Sequence, residues 1–401
     1  MATDEQAQIR HMSCDFCGKA RAEVTKLIVA NDAGICNECI DLCHDILEKE
    51  RIDLIKTDRR IGRLLNPVKV KQFMDQYVIG QEDAKRALAV AVVNHYKRVN
   101  FKSKLEMEKS NLLMFGPTGS GKTLLAKTVA RYLNVPFVIA DATTLTQAGY
   151  VGEDADSLIS RLLSEADNDV EKCQSGIVFI DEIDKIGRKS ESASLTRDVS
   201  GEGVQQALLK LVEGTVVRVS AVGSKKEYVE IDTTNILFIA GGAFDGLDKI
   251  IEGRKQGNSI GFTSKPLDVS NVDRAIPKDF MKYGMIPEFV GRFPVAVKLD
   301  PPSIETMVRI LVEPKHSILA QQQFYFLADG IALEFEDAAV LAIAQQALDL
   351  GIGARGLKTV IDDVMMPIMY TIPDLKKQDI KELTITEGMI TNNKAKETHA
   401  I

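Results

Sequence analysis

The sequence predicts an α/β protein: a parallel sheet with helices on both faces, followed by a smaller, mostly helical domain and preceded by a small zinc-binding domain. Three observations carry this. Short apolar runs alternate with helix-like segments from about Pro67 to Asp300. A glycine-rich phosphate motif joins one of those runs to the helix behind it. Five of the six cysteines fall between residues 14 and 43.

The 401 residues leave room for two or three domains at ~100–200 residues each. Fifty basic against 57 acidic side chains give a net charge of −7, which disfavours a basic nucleic-acid coat and a membrane-surface role. No apolar run approaches the ~18 residues of a membrane span. The polar, acidic start Met1–Glu5 reads as neither a signal nor a transit peptide, so the expected compartment is the cytosol. No period of ~20–50 residues repeats, which excludes a solenoid or propeller.

Residues 1–12 read as a leader, 13–47 as the Cys-rich domain and 48–66 as a charged linker ended by Asn66-Pro67. In the large domain, 67–300, Leu112–Phe115, Phe137–Ala140, Ile177–Ile180 and Ile236–Ala240 are short apolar runs bounded by polar or turn residues. That is the pattern of buried, mostly parallel strands. Leu124–Leu133 and Ala155–Ala166 have helical character. Pro301-Pro302 punctuates the chain. In the small domain, 301–388, Ile304–Gln323, Asp337–Leu350 and Gly356–Met369 read as helices and Glu382–Thr386 as a strand. The stretch 389–401 is expected to be a disordered tail.

Gly116-Pro117-Thr118-Gly119-Ser120-Gly121-Lys122-Thr123 fits G-x-x-x-x-G-K-[ST], with Leu124 next on the helix. Its glycines let backbone N–H groups turn inward around phosphates, and the helix N-terminus adds positive potential. Lys122 is placed to reach β- and γ-phosphates, and the Thr123 hydroxyl to bind Mg²⁺. Further on, Ile177-Val178-Phe179-Ile180-Asp181-Glu182 is a buried strand ending in two acids, at the sheet edge where ligands bind. Asp181 suits Mg²⁺, and Glu182 suits a general base that polarises water. Alone the acids would pass for a solvated turn; beside the phosphate loop they point to ATP hydrolysis.

Cys14-x-x-Cys17 and Cys36-x-x-Cys39 stand 18 residues apart, within the C-x₂-C-x₁₅₋₂₀-C-x₂-C zinc pattern. Two knuckles close a tetrahedron, and four protein ligands make the site structural. A redox role lacks its thioredoxin-like setting. Cys43 and His44 are alternative ligands, although a packed thiol and a surface imidazole explain them more simply. Cys173 reads as a partly buried hydrophobe.

Phosphate loop, strand-end Asp-Glu and N-terminal Cys₄ domain together resemble the ClpX family, the AAA+ unfoldase ATPases of the ClpXP protease. The resemblance covers residues 13 to about 388. It implies a P-loop AAA+ large domain, a small AAA+ domain and ATP, Mg²⁺ and Zn²⁺ as cofactors. Within Tyr77-Val78-Ile79-Gly80-Gln81 it implies that Val78 and Ile79 pack the adenine. It implies a substrate-gripping pore built from Gly149-Tyr150-Val151-Gly152 and from a second loop around Arg197. Arg292 would reach the γ-phosphate of a neighbour's ATP, and Arg355 in Gly353-Ala354-Arg355-Gly356-Leu357 would contact nucleotide from the small domain. Ile260-Gly261-Phe262 would dock a ClpP-type peptidase.

The family also implies a homohexamer, unfolded or tagged protein substrates, adaptor proteins recruited by a zinc domain for which dimerisation is an option, a bacterial cytoplasmic location, and no nucleic-acid or membrane partner. Two departures stand out. Lys225-Lys226 replaces an Arg-Lys-His loop common in bacterial relatives, and Ile236–Ala240 runs into Gly241-Gly242, leaving no polar residue at the usual sensor-1 position. No H-E-x-x-H pair is present, and no intrinsic protease activity is expected. The alternatives are an HslU-type protease ATPase, which lacks the Cys₄ domain, a zinc-reading nucleic-acid ATPase, and a non-proteolytic remodelling ATPase.

Overall fold

The computed structural model describes residues 13–30, 33–44, 46, 65–101, 105, 107–146, 153–187, 201–220, 228–257 and 274–391. The chain divides into two compact units, 1–66 and 67–401. In the first, β1 (Leu27–Ala30) and β2 (Ala33–Cys36) form an antiparallel hairpin with Leu27 opposite Cys36. Helix α1 (37–44) follows directly. The interior is Cys14, Cys36 and Cys39, with Val24, Leu27 and Ile35 half-buried around them. So small an apolar core does not stabilise a fold of this length without a further cross-link.

The second unit opens with α2 (Pro67–Asp75) and α3 (Glu82–Asn100). Its sheet contains β3 (Leu112–Phe115), β4 (Phe137–Asp141), β7 (Ile177–Asp181), β10 (Leu237–Gly242) and β11 (Val295–Lys298). The spatial order is β11-β3-β10-β7-β4, and every pairing is parallel. The three central strands are almost wholly buried, which is why they read as continuous apolar runs. Between them lie α4 (Lys122–Leu133), the short parallel pair β5 (Leu145–Thr146) and β6 (Glu153–Asp154), α5 (Ser157–Glu165) and α6 (Val170–Gln174). Then come α7 (Gly201–Glu213), the antiparallel hairpin β8 (Val216–Ser220)–β9 (Tyr228–Asp232), α8 (Leu247–Gly257), α9 (Pro277–Tyr283) and α10 (Pro287–Gly291). Parallel strands bring the ends of β3, β7 and β10 to one edge, where the phosphate loop and the acidic pair meet.

The remainder is helical: α11 (Ile304–Val312), α12 (Ile318–Ala328), α13 (Asp337–Asp349), α14 (Arg355–Tyr370) and α15 (Ile372–Lys377). They surround a separate core that includes Met307, Phe326, Ile343 and Leu357. β12 (Ala332–Phe335) and β13 (Glu382–Ile385) pair in parallel across it. Among the described residues no helix is long and apolar enough to cross a membrane.

The structure differs from the sequence reading in three places. The sheet has a fifth strand, β11. The expected helix 304–323 is two helices. Pro314 lies between them, and the Ser317 hydroxyl accepts the Ala320 N–H at 3.2 Å to start α12. Residues 389–391, expected at the start of the loose tail, lie in a helix over 387–391: Ile390 is fully buried, and its carbonyl accepts Gln346 Nε2 at 3.1 Å.

At the C-terminal half of α3, His95 is buried with its Nε2 3.0 Å from the Asn235 carbonyl. Burial, reinforced by the charges of Arg98 and Lys109, pushes its pKa down to about 3. An unfolded histidine titrates near 6.5, so the unfolded chain takes up a proton that the folded one refuses. This contribution is fully present above pH ~6.5 and is lost as pH falls towards 3, by about 1.4 kcal/mol per unit. Thermal unfolding between pH 7 and 4 should therefore show a steep acid loss. His95→Gln, which keeps a donor for Asn235 and does not titrate, should flatten it.

Candidate functional site

The phosphate loop turns off β3 with three glycines in the left-handed region: Gly116 (φ 145°), Gly119 (φ 77°) and Gly121 (φ 100°). Side chains are refused at two of them by close neighbours. A Cβ on Gly116 would collide with the Leu299 carbonyl, and one on Gly119 with the Ile352 carbonyl. Lys122, 8% exposed, donates from Nζ to the Gly116 carbonyl at 2.6 Å and the Pro117 carbonyl at 2.9 Å. Burial lowers its pKa, against the opposing pull of Asp181 and Asp184. Its ammonium is thus folded into the loop where phosphate oxygens would replace the two carbonyls.

The Thr123 hydroxyl donates to Asp181 Oδ2 at 2.9 Å. A hydroxyl against a carboxylate supplies hard oxygen ligands of the kind Mg²⁺ takes together with substrate phosphates. Asp181 Oδ1 accepts the Glu182 N–H at 3.0 Å, and Glu182 sits in the left-handed region (φ 54°). That turn separates the two carboxylates: Asp181 faces Thr123, while Glu182 lines the open cavity.

The cavity measures about 410 Å³ and is shared by both domains of the second unit. The large domain supplies Lys122, Thr123, Asp181 and Glu182; the small domain supplies Arg355 at the start of α14, with Ile310, His316 and Ile318. Tyr77 lines it as well, with its ring 5.8 Å from His316 and the Arg131 guanidinium 5.2 Å from its centroid. Apolar and aromatic groups thus share one cavity with phosphate-binding groups, a match for a nucleotide. Contact between the domains is direct. Ala354 N–H donates to the Gly119 carbonyl at 3.3 Å, and Gly353 (φ 64°) leaves a Cβ no room, 2.7 Å from the Thr118 carbonyl.

Several expected residues gather here: Gly119, Gly121, Lys122, Thr123, Leu124, Asp181, Glu182 and Arg355. Val78 and Ile79 are buried, and Ile79 lines a neighbouring hollow of about 280 Å³ rather than this cavity. Arg292 lies outside it, half-exposed after α10 and paired with Glu213 Oε1 at 2.7 Å. Tyr150, Val151, Arg197, Ile260, Gly261, Phe262, Lys225 and Lys226 fall outside the described residues.

The sequence reading missed Asp184. It is 5% exposed, lines the cavity, and accepts the Ala243 N–H on Oδ1 at 3.1 Å. Oδ2 has no hydrogen-bond partner among the described residues, and Lys185 Nζ lies 3.6 Å from it. A Cβ on Gly242 would come within 2.6 Å of Oδ1. The glycine that ends β10 thus leaves space which this carboxylate occupies.

In the first unit, the sulfurs of Cys14, Cys17, Cys36 and Cys39 all lie within 4.8 Å of one another. Cys17 and Cys36 are 3.7 Å apart, and the Cys36 N–H donates to the Cys14 sulfur at 3.2 Å. A tetrahedron with Zn–S bonds of ~2.3 Å has edges of about 3.8 Å. Four converging thiols around a core this small fit a structural zinc site. Cys43 and the exposed His44 stand outside the set.

Fold and cavity define a P-loop ATPase of the AAA class carrying a Cys₄ zinc finger. Family models match in three stretches: AAA domain (Cdc48 subfamily) over 107–296, ClpX C4-type zinc finger over 12–49, and the C-terminal D2-small domain of ClpB protein over 302–383. The ATP-dependent Clp protease ATP-binding subunit ClpX 2 of Wolinella succinogenes is 48% identical over 392 residues, 96% of this chain and 97% of that protein. The ATP-dependent Clp protease ATP-binding subunit ClpX of Treponema denticola is 48% identical over 398 residues, 96% and 95% respectively. The chain belongs to the ClpX family.

Two outcomes follow from the geometry. Chelation of zinc should unfold residues 13–46, seen as collapse of their amide dispersion, while nucleotide binding by the second unit persists; metal binding and folding are one equilibrium in such modules. Gly353→Ala should weaken binding of a fluorescent ATP analogue at least tenfold, because its methyl group must push the phosphate loop away from α14. Unchanged affinity would mean that contact does not shape the site.

Proposed function

We propose that this protein is an ATP-driven unfoldase and translocase that threads proteins into a ClpP-type peptidase. One observation carries the reading: the cavity is closed jointly by the phosphate loop and by Gly353-Ala354-Arg355 of the small domain, so a change at the phosphates is a change between domains. Thr123 and Asp181 would hold Mg²⁺, which would neutralise phosphate charge. Lys122 leaves its loop carbonyls for the β- and γ-phosphates. Glu182 polarises the attacking water. Tyr77 stands at the adenine end, and Val78 and Ile79, next to it in the chain and buried outside the cavity, support that end indirectly.

Arg292 acts in trans. It lies outside its own cavity, half-exposed, so a neighbouring subunit in a homohexameric ring is what it can serve. Hydrolysis then depends on assembly. Tyr150 and Val151, with Arg197 on a second loop, grip the substrate in the pore. Ile260-Gly261-Phe262 docks the peptidase, and the zinc finger recruits substrates or adaptors. Proteolysis belongs to the partner, and the machine works in the bacterial cytoplasm. Substrate stabilities of roughly 5–15 kcal/mol set the work required.

The test follows the fluorescence of a stably folded fluorescent protein with an unstructured C-terminal tag, mixed with this protein and ATP without peptidase. Loss with the wild type and none with Glu182→Gln is the expected result. Robust ATP hydrolysis with no loss over a panel of tags would overturn the unfolding step and favour a remodelling ATPase.

A further inference from the structure

Gln81 occupies a position that general rules reserve for other residues. It is the N-cap of α3, where Ser, Thr, Asp or Asn would cap, yet its side chain makes no capping bond. It also holds a left-handed backbone (φ 56°), which favours Gly or Asn. Its side chain leaves the helix and crosses to the boundary between the two domains. Oε1 accepts the Asp300 N–H at 3.1 Å, and Nε2 donates to the Asp300 carbonyl at 2.7 Å. The same Nε2 reaches the carbonyl of Ser120, in the phosphate loop, at 3.4 Å. One amide thus grips both polar groups of a hinge residue and touches the nucleotide loop.

The platform beneath it is fixed. Lys85, 2% exposed, donates to the Val78 carbonyl at 3.2 Å and pairs with Asp75 and Glu82. The other side is fixed too. Leu299 N–H donates to the Phe115 carbonyl at 2.8 Å, extending the sheet, and Ser303 caps α11 through Thr306 N–H at 3.3 Å. Only Pro301 and Pro302 remain between Asp300 and that cap. Their rings fix φ, and each restricts the residue before it.

We propose that Gln81 is a positioning residue which latches the Asp300 peptide to the phosphate loop, so that rotation between the domains is confined to Pro301-Pro302 and follows the state of that loop. The proposal rests on the reading that ATP turnover moves the domains. The latch is a side-chain clamp on backbone, so only its length and its amide chemistry matter.

The test uses the full-length assembled protein and two variants: Gln81→Met, of similar length without hydrogen bonds, and Gln81→Asn, which tolerates the left-handed backbone but falls one methylene short. Exchange of the Asp300 amide should accelerate at least tenfold in both. Their kcat for ATP should fall about fivefold while KM moves less than twofold, because the loop is still built but no longer drives the hinge. A wild-type Asp300 amide as fast as in the variants, an unchanged kcat, or a raised KM at constant kcat would each overturn the latch. So would global unfolding of both variants, which would make Gln81 a fold determinant. Absence of unfolding activity in the wild type would defeat the proposed function and leave both latch readouts standing.

Discussion

Backbone amides can wrap a polyphosphate only where no side chain stands between them and the anion, and much of this molecule follows from that constraint. The bare backbone at Gly116 and Gly119 serves a second purpose. Leu299 of the large domain packs its carbonyl against Gly116, and the Ile352–Gly353 turn of the small domain packs against Gly119. The loop is therefore clasped from both sides through positions that had to lack a Cβ for phosphate binding. The loop atoms placed to meet phosphate are also the atoms that meet the small domain.

The acidic edge obeys a related geometry. Parallel strands deliver Asp181 beside Asp141 and the end of β10 beside that of β3. Where β10 ends in Gly241-Gly242, the missing side chains are replaced by Phe179 from the neighbouring strand and by the Asp184 carboxylate. A polar group at this edge is thus supplied from β7's own extension. Asp184 also helps keep Lys122 protonated despite its burial.

Motifs whose chemistry is local were legible in the sequence. The phosphate loop, the Asp181-Glu182 end and the two Cys-x-x-Cys knuckles each pack their meaning into a few adjacent residues, and the structure assembles the cavity and the thiol cluster from them. What escaped was whatever depends on distant chain. β11 is a short, half-buried edge strand with no alternation to reveal it. Ile310, His316 and Ile318 reach the cavity only because Pro314 breaks what reads as one helix. Gln81 stood in plain view beside Val78 and Ile79, but its partner Asp300 lies 219 residues away.

The small domain closes last along the chain. β12 waits for β13, and Ile390 seals the core beneath α13 and α14, the helix that presents Arg355. During synthesis the phosphate loop and its acids emerge long before that platform exists. A chain that stops before residue 382 would carry Asp181 and Glu182 without a finished second wall to the cavity they line.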